Sequence, residues 1–387
     1  MNKGWEQHKL GGVAKIIGGG TPNTKIPAYW NGTINWYTPV EIGKKIYINE
    51  SQRKITLDGL KHSSAKLLPK NSVLFTSRAG IGKMAILGEE ATTNQGFQSI
   101  IPIAKELDSY FLFSLSNQLK YYGETHGAGS TFTEISGKEL AKFKLILPKL
   151  NEQKIISKLI MMMDKLISLQ QRKLNQLKRL KRAMLQQLFV DKNCKQPILR
   201  FKNFNDNWEE RKLSDIANYR NGKAHEQYID MNGIYTVVNS KFISTNGKVK
   251  KFSNKPIELL KKGEIAFVLS DVPNGKALAK AYLIDSDNRY SLNQRIAGIT
   301  PSSDINSYFL YILMNRNRYF LKFDDGVGQT NLSKKDIEEF KENYPLFDEQ
   351  QKIANLFSKI QILITLQQNK LTQLTTLKKY LLQKLFI

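Results

Sequence analysis

Two long stretches of the chain carry apolar residues at heptad spacing and contain neither glycine nor proline. In the first, residues 149–190, the side chains of Ile160, Ile167 and Leu174 follow one another at intervals of seven. This interval is typical of helices that pair in a coiled coil. Each stretch is predicted to form one helix of about 39 residues, roughly 58 Å long at 1.5 Å per residue. The residues predicted to lie between paired helices are Ile160, Ile167, Leu174, Leu177, Leu188, Ile364, Leu371, Leu374 and Leu385.

The second stretch, which closes the chain, is a copy of the first. From Pro148 and Pro345 onward, 43 positions align without a gap and 20 of them are identical. A lone helix would leave its apolar stripe in water, so each helix needs a partner, and the other copy is the nearest one. Packing on its own domain and self-dimerisation are the alternatives. Two similar halves related by an approximate two-fold axis favour antiparallel pairing of the helices. A chain that ends after Phe347 would lack the second helix, so the first helix is expected to lose its partner while no domain is removed.

The segments in front of the two helices alternate short apolar runs with turn residues. Runs such as SVLFTS, KMAILG, EIAFVL and AKAYLI are typical of strands. These segments also repeat each other, since TNQGFQSIIP (93–102) returns as LNQRIAGITP (292–301). The predicted fold class is mixed α+β, with two α/β domains separated by a two-helix antiparallel coiled coil. The predicted boundaries are 1–147 and 200–344 for the domains and 148–199 and 345–387 for the helices. Asn151 and Asp348 are predicted to cap those helices.

The charge of the chain indicates a polyanionic partner. Its 387 residues include 59 basic and 34 acidic ones, a net charge of +25, and nucleic acid is the commonest polyanion. Residues 148–200 alone carry +10, which suits nucleic acid, an acidic protein or a solvated helix flank. No apolar run approaches the about 18 residues of a membrane helix, and Met1–Leu10 is no signal peptide. The single cysteine, Cys194, excludes an internal disulfide and predicts a cytoplasmic protein.

No catalytic constellation is found in the sequence. SRAGIGKMA (77–85) resembles part of a phosphate-binding loop, but Ser77 and Met84 replace residues that such a loop requires. GGGTP (18–22) is not followed by a convincing helix and is interpreted as a mobile or turn-forming loop. Glu152 lies in a Glu-x-Lys pattern that fits helix capping better than a nuclease. Scattered histidines and one cysteine build no zinc site, so we predict neither a catalytic residue nor a metal.

Polar side chains at strand ends in the front segments are better candidates for binding. Arginine can bond guanine bidentately in the major groove of DNA, and glutamine or asparagine can bond adenine. Each of these residues alone is typical of a surface turn. Together, however, they differ between the two halves while the sequence around them is repeated, and this difference predicts that they read bases. The candidates of the first domain are Thr21, Ser77, Arg78, Lys83, Gln95, Gln98, Ser130 and Thr131. Those of the second are Lys223, Ser270, Asn274, Lys276, Gln294, Arg295, Gln329, Thr330 and Asn331.

Several motifs together resemble the specificity subunits of type I restriction–modification systems, over essentially the whole chain. Trp-Glu-x-x-Lys-Leu opens both halves, at 5–10 and 208–213, and LRFKNFNDNWEERKL (199–213) leads into the second. The other matching segments are GGGTPNTKIPAYWNGTINWYTPVEI (18–42), SRAGIGKMAI followed by NQGFQSIIP, GSTFTEIS (129–136), and NEQKIISKLI and DEQQKIANLF at the two helix starts.

The resemblance implies two target-recognition domains, each reading one half of a bipartite DNA site, with the coiled coil as spacer. It implies no catalytic activity and no cofactor in this chain. Two modification subunits, docked on the paired helices, would carry S-adenosylmethionine and methylate adenine, and restriction subunits would use ATP and Mg²⁺. Residues 219–239 lack the Thr-Pro and Tyr-Trp of the first domain, so contacts do not transfer residue by residue. The alternative is a coiled-coil scaffold for protein or RNA without DNA sequence readout.

Overall fold

The computed structural model describes residues 4–78, 80–128, 133–190 and 194–385, and the chain divides into two compact units. Unit 1 comprises Met1–Arg172 and Asn369–Ile387, and unit 2 comprises Lys173–Gln368. Each unit therefore combines a globular domain with segments of both long helices. The domain boundaries proposed from the sequence stay a prediction.

Unit 1 contains strands and short helices in alternation, followed by one long helix. Its strands are β1 (Glu6–Lys9), β2 (Ala14–Gly18), β3 (Trp30–Tyr37), β4 (Tyr47–Ile48), β5 (Arg53–Ile55), β6 (Val73–Phe75), β7 (Met84–Leu87), β8 (Ala91–Thr93), β9 (Gln98–Pro102) and β10 (Lys144–Leu147). Its helices are α1 (Leu10–Val13), α2 (Leu57–Lys61), α3 (Ser109–Ser114), α4 (Ser116–His126), α5 (Gly137–Leu140) and the first part of α6 (Leu150–Leu188), with 3-10 turns at Pro27–Tyr29 and Pro39–Glu41.

The strands of unit 1 form a five-stranded sheet in the order β2-β9-β6-β7-β4, a three-stranded sheet β5-β3-β8 and the antiparallel pair β1-β10. The runs SVLFTS and KMAILG contain β6 and β7, as predicted. Every residue of β6 and β7 is buried, so these strands carry apolar residues on both faces. Phe75 in β6, Phe97 just before β9 and Phe111 in α3 are fully buried.

Unit 2 repeats this pattern. Its strands are β11 (Glu209–Lys212), β12 (Ala217–Asn221), β13 (Tyr235–Val238), β14 (Phe252–Ser253), β15 (Leu259–Leu260), β16 (Ile265–Val268), β17 (Ser270–Asp271), β18 (Ala281–Leu283), β19 (Tyr290–Leu292), β20 (Ile296–Pro301), β21 (Thr330–Asn331) and β22 (Lys341–Tyr344). Its helices are the second part of α6, α7 (Leu213–Ile216), α8 (Ser240–Ser244), α9 (Ser307–Met314), α10 (Arg318–Leu321), α11 (Lys334–Glu338) and most of α12 (Phe347–Leu385), with a 3-10 turn at Glu226–Tyr228.

The sheets of unit 2 have the orders β12-β20-β16-β18, β14-β13-β19-β15, β11-β22 and β17-β21. The runs EIAFVL and AKAYLI contain β16 and β18, as predicted. The pairing β12-β20-β16 matches β2-β9-β6 of unit 1, and the parallel pair β13-β19 matches β3-β8. The internal repeat seen in the sequence is therefore a repeat of strand pairing.

The two long helices have the same length, 39 residues, which is the length predicted from the stretches without glycine or proline. The predicted caps are wrong, because the helices begin at Leu150 and Phe347, before Asn151 and Asp348. A residue inside the first turn cannot cap that turn.

A buried glutamine joins each long helix to its own domain by the same hydrogen bonds. In unit 1, Gln153 accepts from the Asp108 N–H at 2.9 Å and donates to the carbonyl oxygens of Glu106 and Pro148 at 2.8 and 3.0 Å. In unit 2, Gln350 bonds the Asn306 N–H and two carbonyl oxygens in the same way. Because one amide satisfies three backbone groups, it sets the direction in which the helix leaves the domain.

Within each unit, the segments of the two helices run antiparallel. In unit 1, Ile156 and Ile160 belong to a core against which Leu382 and Leu385 pack, while farther along α6 Asp164 forms an ion pair with Lys378. Residues later in α6 therefore contact residues earlier in α12. This arrangement confirms the antiparallel pairing expected from the repeat.

Unit 2 shows the same sense of pairing with its own residues. Lys181 Nζ donates to Gln361 Oε1 at 2.8 Å, and the rings of Phe189 and Phe357 lie 5.8 Å apart.

All residues predicted to lie between the paired helices are at least partly buried. The buried ones are Ile160, Leu174, Leu188 and Ile364. The partly buried ones are Ile167, Leu177, Leu371, Leu374 and Leu385.

The two polar pairs between the helices occupy equivalent positions of the repeat, because Asp164 corresponds to Gln361 and Lys378 to Lys181. In unit 1 the pair is ionic, and Asp164 also accepts from the Tyr110 hydroxyl at 2.9 Å. In unit 2, Lys181 faces a neutral amide, and burial lowers the pKa of its ammonium group.

We therefore expect Gln361→Glu to stabilise the protein by about 0.5–1 kcal/mol, since it supplies the missing counter-charge. Thermal denaturation of the full chain measures the change. The matched control is Asp164→Asn, which removes the equivalent charge from unit 1 and should lower stability by about 1–3 kcal/mol. A melting temperature that falls in Gln361→Glu would contradict the assignment.

No helix among the described residues is long and apolar enough to cross a membrane. Nor do the described residues gather three or more His, Cys, Asp or Glu side chains in an arrangement that could hold a metal ion.

Candidate nucleic-acid interface

In unit 1, several loops meet at one end of the five-stranded sheet. Strand β2 ends at Gly18, opposite Gln98 at the start of β9. Just beyond, the Gly20 N–H donates to the Thr93 carbonyl oxygen at 2.8 Å. These segments are named the first loop cluster, which consists of residues 18–21, 76–78, 80–83 and 93–98.

The first loop cluster brings together two residues predicted from the sequence. The Thr21 hydroxyl donates to Gln95 Oε1 at 2.5 Å, and Gln95 is exposed. Ser77 is fully buried, where its N–H donates to the Gly96 carbonyl oxygen at 2.9 Å and its hydroxyl to Glu134 Oε1 at 3.5 Å. Ser77 thus fixes the loop from inside, while Thr21 and Gln95 lie at its surface.

The other predicted residues of the first domain differ in exposure. Lys83 is exposed, and Arg78 and Gln98 are half-buried. Ser130 and Thr131 lie outside the described residues. Arg78 and Lys83 form no ion pair with any of the described acidic side chains, which leaves two cations available to a polyanion at this end of the sheet.

Unit 2 builds a second loop cluster by the same backbone hydrogen bonds. The Gly222 N–H donates to the Ile296 carbonyl oxygen at 3.0 Å and the Lys223 N–H to that of Leu292 at 3.1 Å. In unit 1, the Gly19 and Gly20 N–H groups bond the carbonyl oxygens of Phe97 and Thr93. The second loop cluster consists of residues 221–225, 269–276, 292–296 and 324–331.

Gly19 in the first loop cluster and Gly222 in the second have no room for a side chain. A Cβ atom on Gly19 would lie 1.9 Å from the Asn94 carbonyl oxygen, and one on Gly222 would lie 2.0 Å from that of Asn293. Both obstacles are backbone atoms, which cannot move without breaking the cluster. The segment GGGTP, interpreted from the sequence as a mobile or turn-forming loop, is therefore held against the turn that precedes β9.

Several predicted residues of the second domain lie side by side in the ribbon β17-β21. Ser270 pairs with Asn331, and Gln329 Nε2 donates to the Ser270 hydroxyl oxygen at 2.7 Å. Ser270 and Thr330 are buried, whereas Gln329 and Asn331 are exposed. The ribbon thus offers two amide side chains to solvent and keeps the hydroxyls inside.

The remaining predicted residues of the second domain lie in other parts of the second loop cluster. Asn274, in the left-handed region at φ 53°, donates from Nδ2 to the Gly326 carbonyl oxygen at 3.5 Å. Gln294 Nε2 donates to Glu226 Oε1 at 2.6 Å. Lys276 and Arg295 are exposed and form no ion pair with the described residues.

An ion-pair network runs from the interior of unit 2 to Lys223. Burial raises the pKa of Glu264, but hydrogen bonds from Arg220, Thr300 and the Lys261 N–H outweigh burial and hold that pKa below its usual value. Arg220 also contacts Glu258 at 3.1 Å, and Glu258 contacts Lys223 Nζ at 3.1 Å.

Two supporting residues escaped the sequence analysis. Trp36 Nε1 donates to the Gly20 carbonyl oxygen at 2.9 Å. In unit 2 the equivalent carbonyl, that of Lys223, lies 2.7 Å from Nδ1 of His225, which is only 1% exposed. A carbonyl oxygen can only accept, so Nδ1 carries the proton, and Nε2 meets the Ser291 hydroxyl at 2.7 Å. His225 thus replaces the tryptophan that the second domain lacks. No spacing signal could reveal this, because Trp36 follows its carbonyl by many residues and His225 by two.

Known proteins with this organisation are specificity subunits. The family model of the type I restriction modification DNA specificity domain matches residues 2–179 and 205–376. The chain is 29% identical over 404 residues to the type I restriction enzyme MjaIX specificity subunit of Methanocaldococcus jannaschii, covering 97% of this chain and 90% of that protein. It is 32% identical over 170 residues to the EcoR124I/EcoR124II specificity subunit of Escherichia coli, covering 42% and 41%.

A solved structure shares the fold over the whole length. The crystal structure of a type I restriction-modification S subunit from M. genitalium superposes with a TM-score of 0.68 at 18% identity, covering 100% of this chain and 97% of that one. The family model matches both halves of the chain, each with its loop cluster and long helix. The chain therefore belongs to the family of type I restriction–modification DNA specificity subunits.

Proposed function

We propose that the chain reads a bipartite DNA site, with the first loop cluster contacting one half-site and the second loop cluster the other. The observation that carries this proposal is the duplication itself. In both units a glycine loop packs against the turn before β9 or β20, and polar side chains lie around this loop. The net charge of +25 supports a polyanionic ligand.

Two kinds of contact are expected at each cluster. Lysine and arginine side chains hold phosphates and set the register of the protein on the duplex, while side chains at base edges read sequence. Exposed Gln95, Gln329 and Asn331 suit adenine, and Arg295 suits guanine. At the second cluster, Lys223 must exchange Glu258 for a phosphate, which lowers the gain from that contact.

We propose that α6 and α12 form the spacer between the half-sites and that this chain supplies recognition without catalysis. Modification subunits that carry S-adenosylmethionine would methylate adenine, and restriction subunits would use ATP and Mg²⁺, so that this chain binds none of these cofactors. The expected location is the cytoplasm, where DNA and these subunits meet. The rival scaffold function without DNA readout finds no support among the relatives.

Exchange of residues 1–147 for the corresponding domain of another specificity subunit tests the proposal. We expect the methylated motif to change in one half only, because the second loop cluster lies entirely within unit 2. Methylome sequencing of cells that carry the complete system measures the motif. The reciprocal exchange of residues 200–344 is the control and should change the other half. A motif altered in both halves, or in neither, would contradict the assignment of one half-site to each cluster.

A further inference from the structure

A polar pocket of about 330 Å³ lies in unit 2 where β13 and β19 end. These strands are parallel neighbours, with Val238 opposite Leu292, so the turns that follow them leave the sheet at the same edge. Ligands of α/β proteins often bind outside the carboxyl ends of parallel strands. The pocket is named the amide pocket, and its lining is polar or charged throughout: Asn239, Ser240, Lys241, Asn293, Gln294 and Arg295.

The side chain of Asn293 is unbonded in the amide pocket. Its main chain is fixed, because the N–H donates to the Val238 carbonyl oxygen at 3.2 Å and the carbonyl oxygen accepts from the Ile296 N–H at 3.3 Å. Its Oδ1, however, is buried and has no hydrogen-bond partner in the described part of the chain. A buried acceptor without a partner is uncommon in folded proteins. Rotation of this side chain toward a ligand therefore breaks no hydrogen bond.

The equivalent asparagine of unit 1 is engaged instead. Asn94 and Asn293 hold the same place, because the N–H of each donates to the last carbonyl oxygen of the neighbouring parallel strand, β3 or β13. In unit 1, Asn94 Oδ1 accepts from the Gly96 N–H at 2.9 Å. Pro39 packs over this turn, since a Cβ atom on Gly96 would lie 2.8 Å from Pro39 Cγ. The turn of unit 1 is thus closed by its own side chain and covered by a proline.

Unit 2 lacks both residues that close this turn in unit 1. Ser240 stands in the place of Pro39, and Arg295 stands in the place of Gly96. Arg295 has a φ of 65°, in the left-handed region that a residue with a long side chain seldom adopts. Backbone strain of this kind clusters at ligand-binding sites. The repeat therefore contains a closed turn in one unit and a strained, open turn with an unbonded amide in the other.

The chemistry of the amide pocket selects its ligand. Lys241 and Arg295 are exposed, and neither forms an ion pair with the acidic side chains described in unit 2. Phosphate oxygens satisfy these two cations, but they only accept, so they leave Asn293 Oδ1 without a donor. In the major groove, adenine presents the N6 amino group beside the N7 acceptor, which is the complement of an amide. Cytosine presents a donor without that acceptor, and guanine presents two acceptors.

We propose that Asn293 reads the N6 and N7 edge of one adenine in the second half-site and that Lys241 holds a phosphate beside it. This inference rests on the proposed function, in which the second loop cluster contacts DNA. It names the base that the cluster reads at one position. It also separates the two equivalent asparagines, because Asn94 supports its turn while Asn293 contacts the ligand.

Base analogues test the assignment of Asn293. Each adenine of the second half-site, on either strand, is replaced in turn by 7-deazaadenine, which lacks the N7 acceptor, or by purine, which lacks the N6 amino group. Fluorescence anisotropy measures duplex binding by the chain assembled with its modification subunits. At one adenine, we expect each analogue to weaken binding by about tenfold. Absence of any adenine with this sensitivity would overturn the inference.

Asn293→Ala completes the cycle at that adenine. The variant should lose about the same factor on the unmodified duplex and should show no additional loss with either analogue. The matched control is Asn94→Ala, which removes the equivalent side chain of unit 1 and should keep the full analogue sensitivity in the second half-site. An analogue effect that persists in Asn293→Ala would overturn the inference, because Asn293 would then support the turn only.

Asn293→Asp gives a second and independent readout. Aspartate has nearly the same size and accepts from the N4 amino group of cytosine, so the preferred base at that position should change from adenine to cytosine. Duplexes with each of the four base pairs at that position measure the preference. Equal weakening for all four would contradict base reading by Asn293. This variant decides the question if circular dichroism shows that Asn293→Ala is unfolded.

Lys241→Met tests the phosphate contact. We expect weaker binding to every duplex alike and a salt dependence reduced by about one phosphate contact. Loss that depends on sequence would overturn the assignment of Lys241 to a phosphate.

A duplex with a scrambled second half-site distinguishes failure of this inference from failure of the proposed function. If scrambling leaves wild-type binding unchanged, the second loop cluster reads no DNA sequence and both fail. If scrambling weakens binding while no adenine shows a loss that depends on Asn293, only the assignment of the amide pocket fails.

Discussion

Ending the chain after Phe347 should abolish binding to the bipartite site and destabilise both units. In unit 2, α12 contributes Ile353, Ala354 and Phe357 to the main core, and Phe357 is fully buried. Loss of one buried phenylalanine side chain typically costs about 3–5 kcal/mol, a large part of the about 5–15 kcal/mol that stabilises a domain.

The sequence alone predicted that this cut would remove no domain, and the structure adds that it would remove part of a core. Residues after Phe347 are part of the core of unit 2, not only the partner of α6. In unit 1, the same cut removes Leu382 and Leu385 from the core surface and leaves Asp164 without its counter-ion Lys378.

A shorter truncation separates the two effects. Ending the chain after Gln368 retains Ile353, Phe357 and Ile364, so unit 2 should keep its fold while unit 1 loses its helix partner. Circular dichroism and a mobility-shift assay with the methylated motif measure fold and binding. A synthetic peptide of residues 348–387 should restore binding to the longer truncation. Wild-type affinity in the chain that ends at Phe347, without that peptide, would contradict the role assigned to α12.

Gly222→Ala should weaken readout of the second half-site at least about tenfold, the factor that corresponds to about 1.4 kcal/mol. The added methyl group would lie 2.0 Å from the Asn293 carbonyl oxygen and 2.6 Å from its carbonyl carbon. Relief of this clash must shift the turn that carries Gln294 and Arg295. Since a mismatched base pair costs about 1–3 kcal/mol, a displaced reading turn should cost as much or more.

The chain offers a mirror variant and a matched control. Gly19→Ala should impair the first half-site only, because its methyl group would lie 1.9 Å from the Asn94 carbonyl oxygen. Gly12→Ala, outside both loop clusters, places its methyl group in open space in unit 1 and should have no effect. The measurement is binding to duplexes in which one half-site at a time is scrambled. Equal loss at both half-sites from Gly222→Ala would contradict a separate role for each cluster.

Local pattern predicted much of the secondary structure. Heptad spacing without glycine or proline encodes a helix by itself, and both helices have the expected 39 residues. Strand-like runs such as EIAFVL and SVLFTS likewise became central strands. Periodicity reports which face of an element is buried, and that property depends only on neighbouring residues.

The structure separates the candidate DNA contacts into buried and exposed side chains, a difference that residue type alone did not show. Ser77, Ser270 and Thr330 are buried hydroxyls that support loops, whereas Gln95 and Arg295 lie at the surface. All five looked alike in the sequence, as polar residues at strand ends. Burial is set by what packs over a residue, which comes from distant parts of the chain.

The sequence by itself determined the repeat, the two long helices, their need for a partner and the polyanionic character of the ligand, because each follows from spacing or composition. Only the tertiary structure decided that His225 takes the place of Trp36 and that Gln153 and Gln350 join the helices to their domains. These features pair side chains with backbone groups at very different separations, from two residues for His225 and Lys223 to 45 for Gln153 and Asp108. Such pairs leave no periodic trace, since one suitable donor at the right place in space is sufficient.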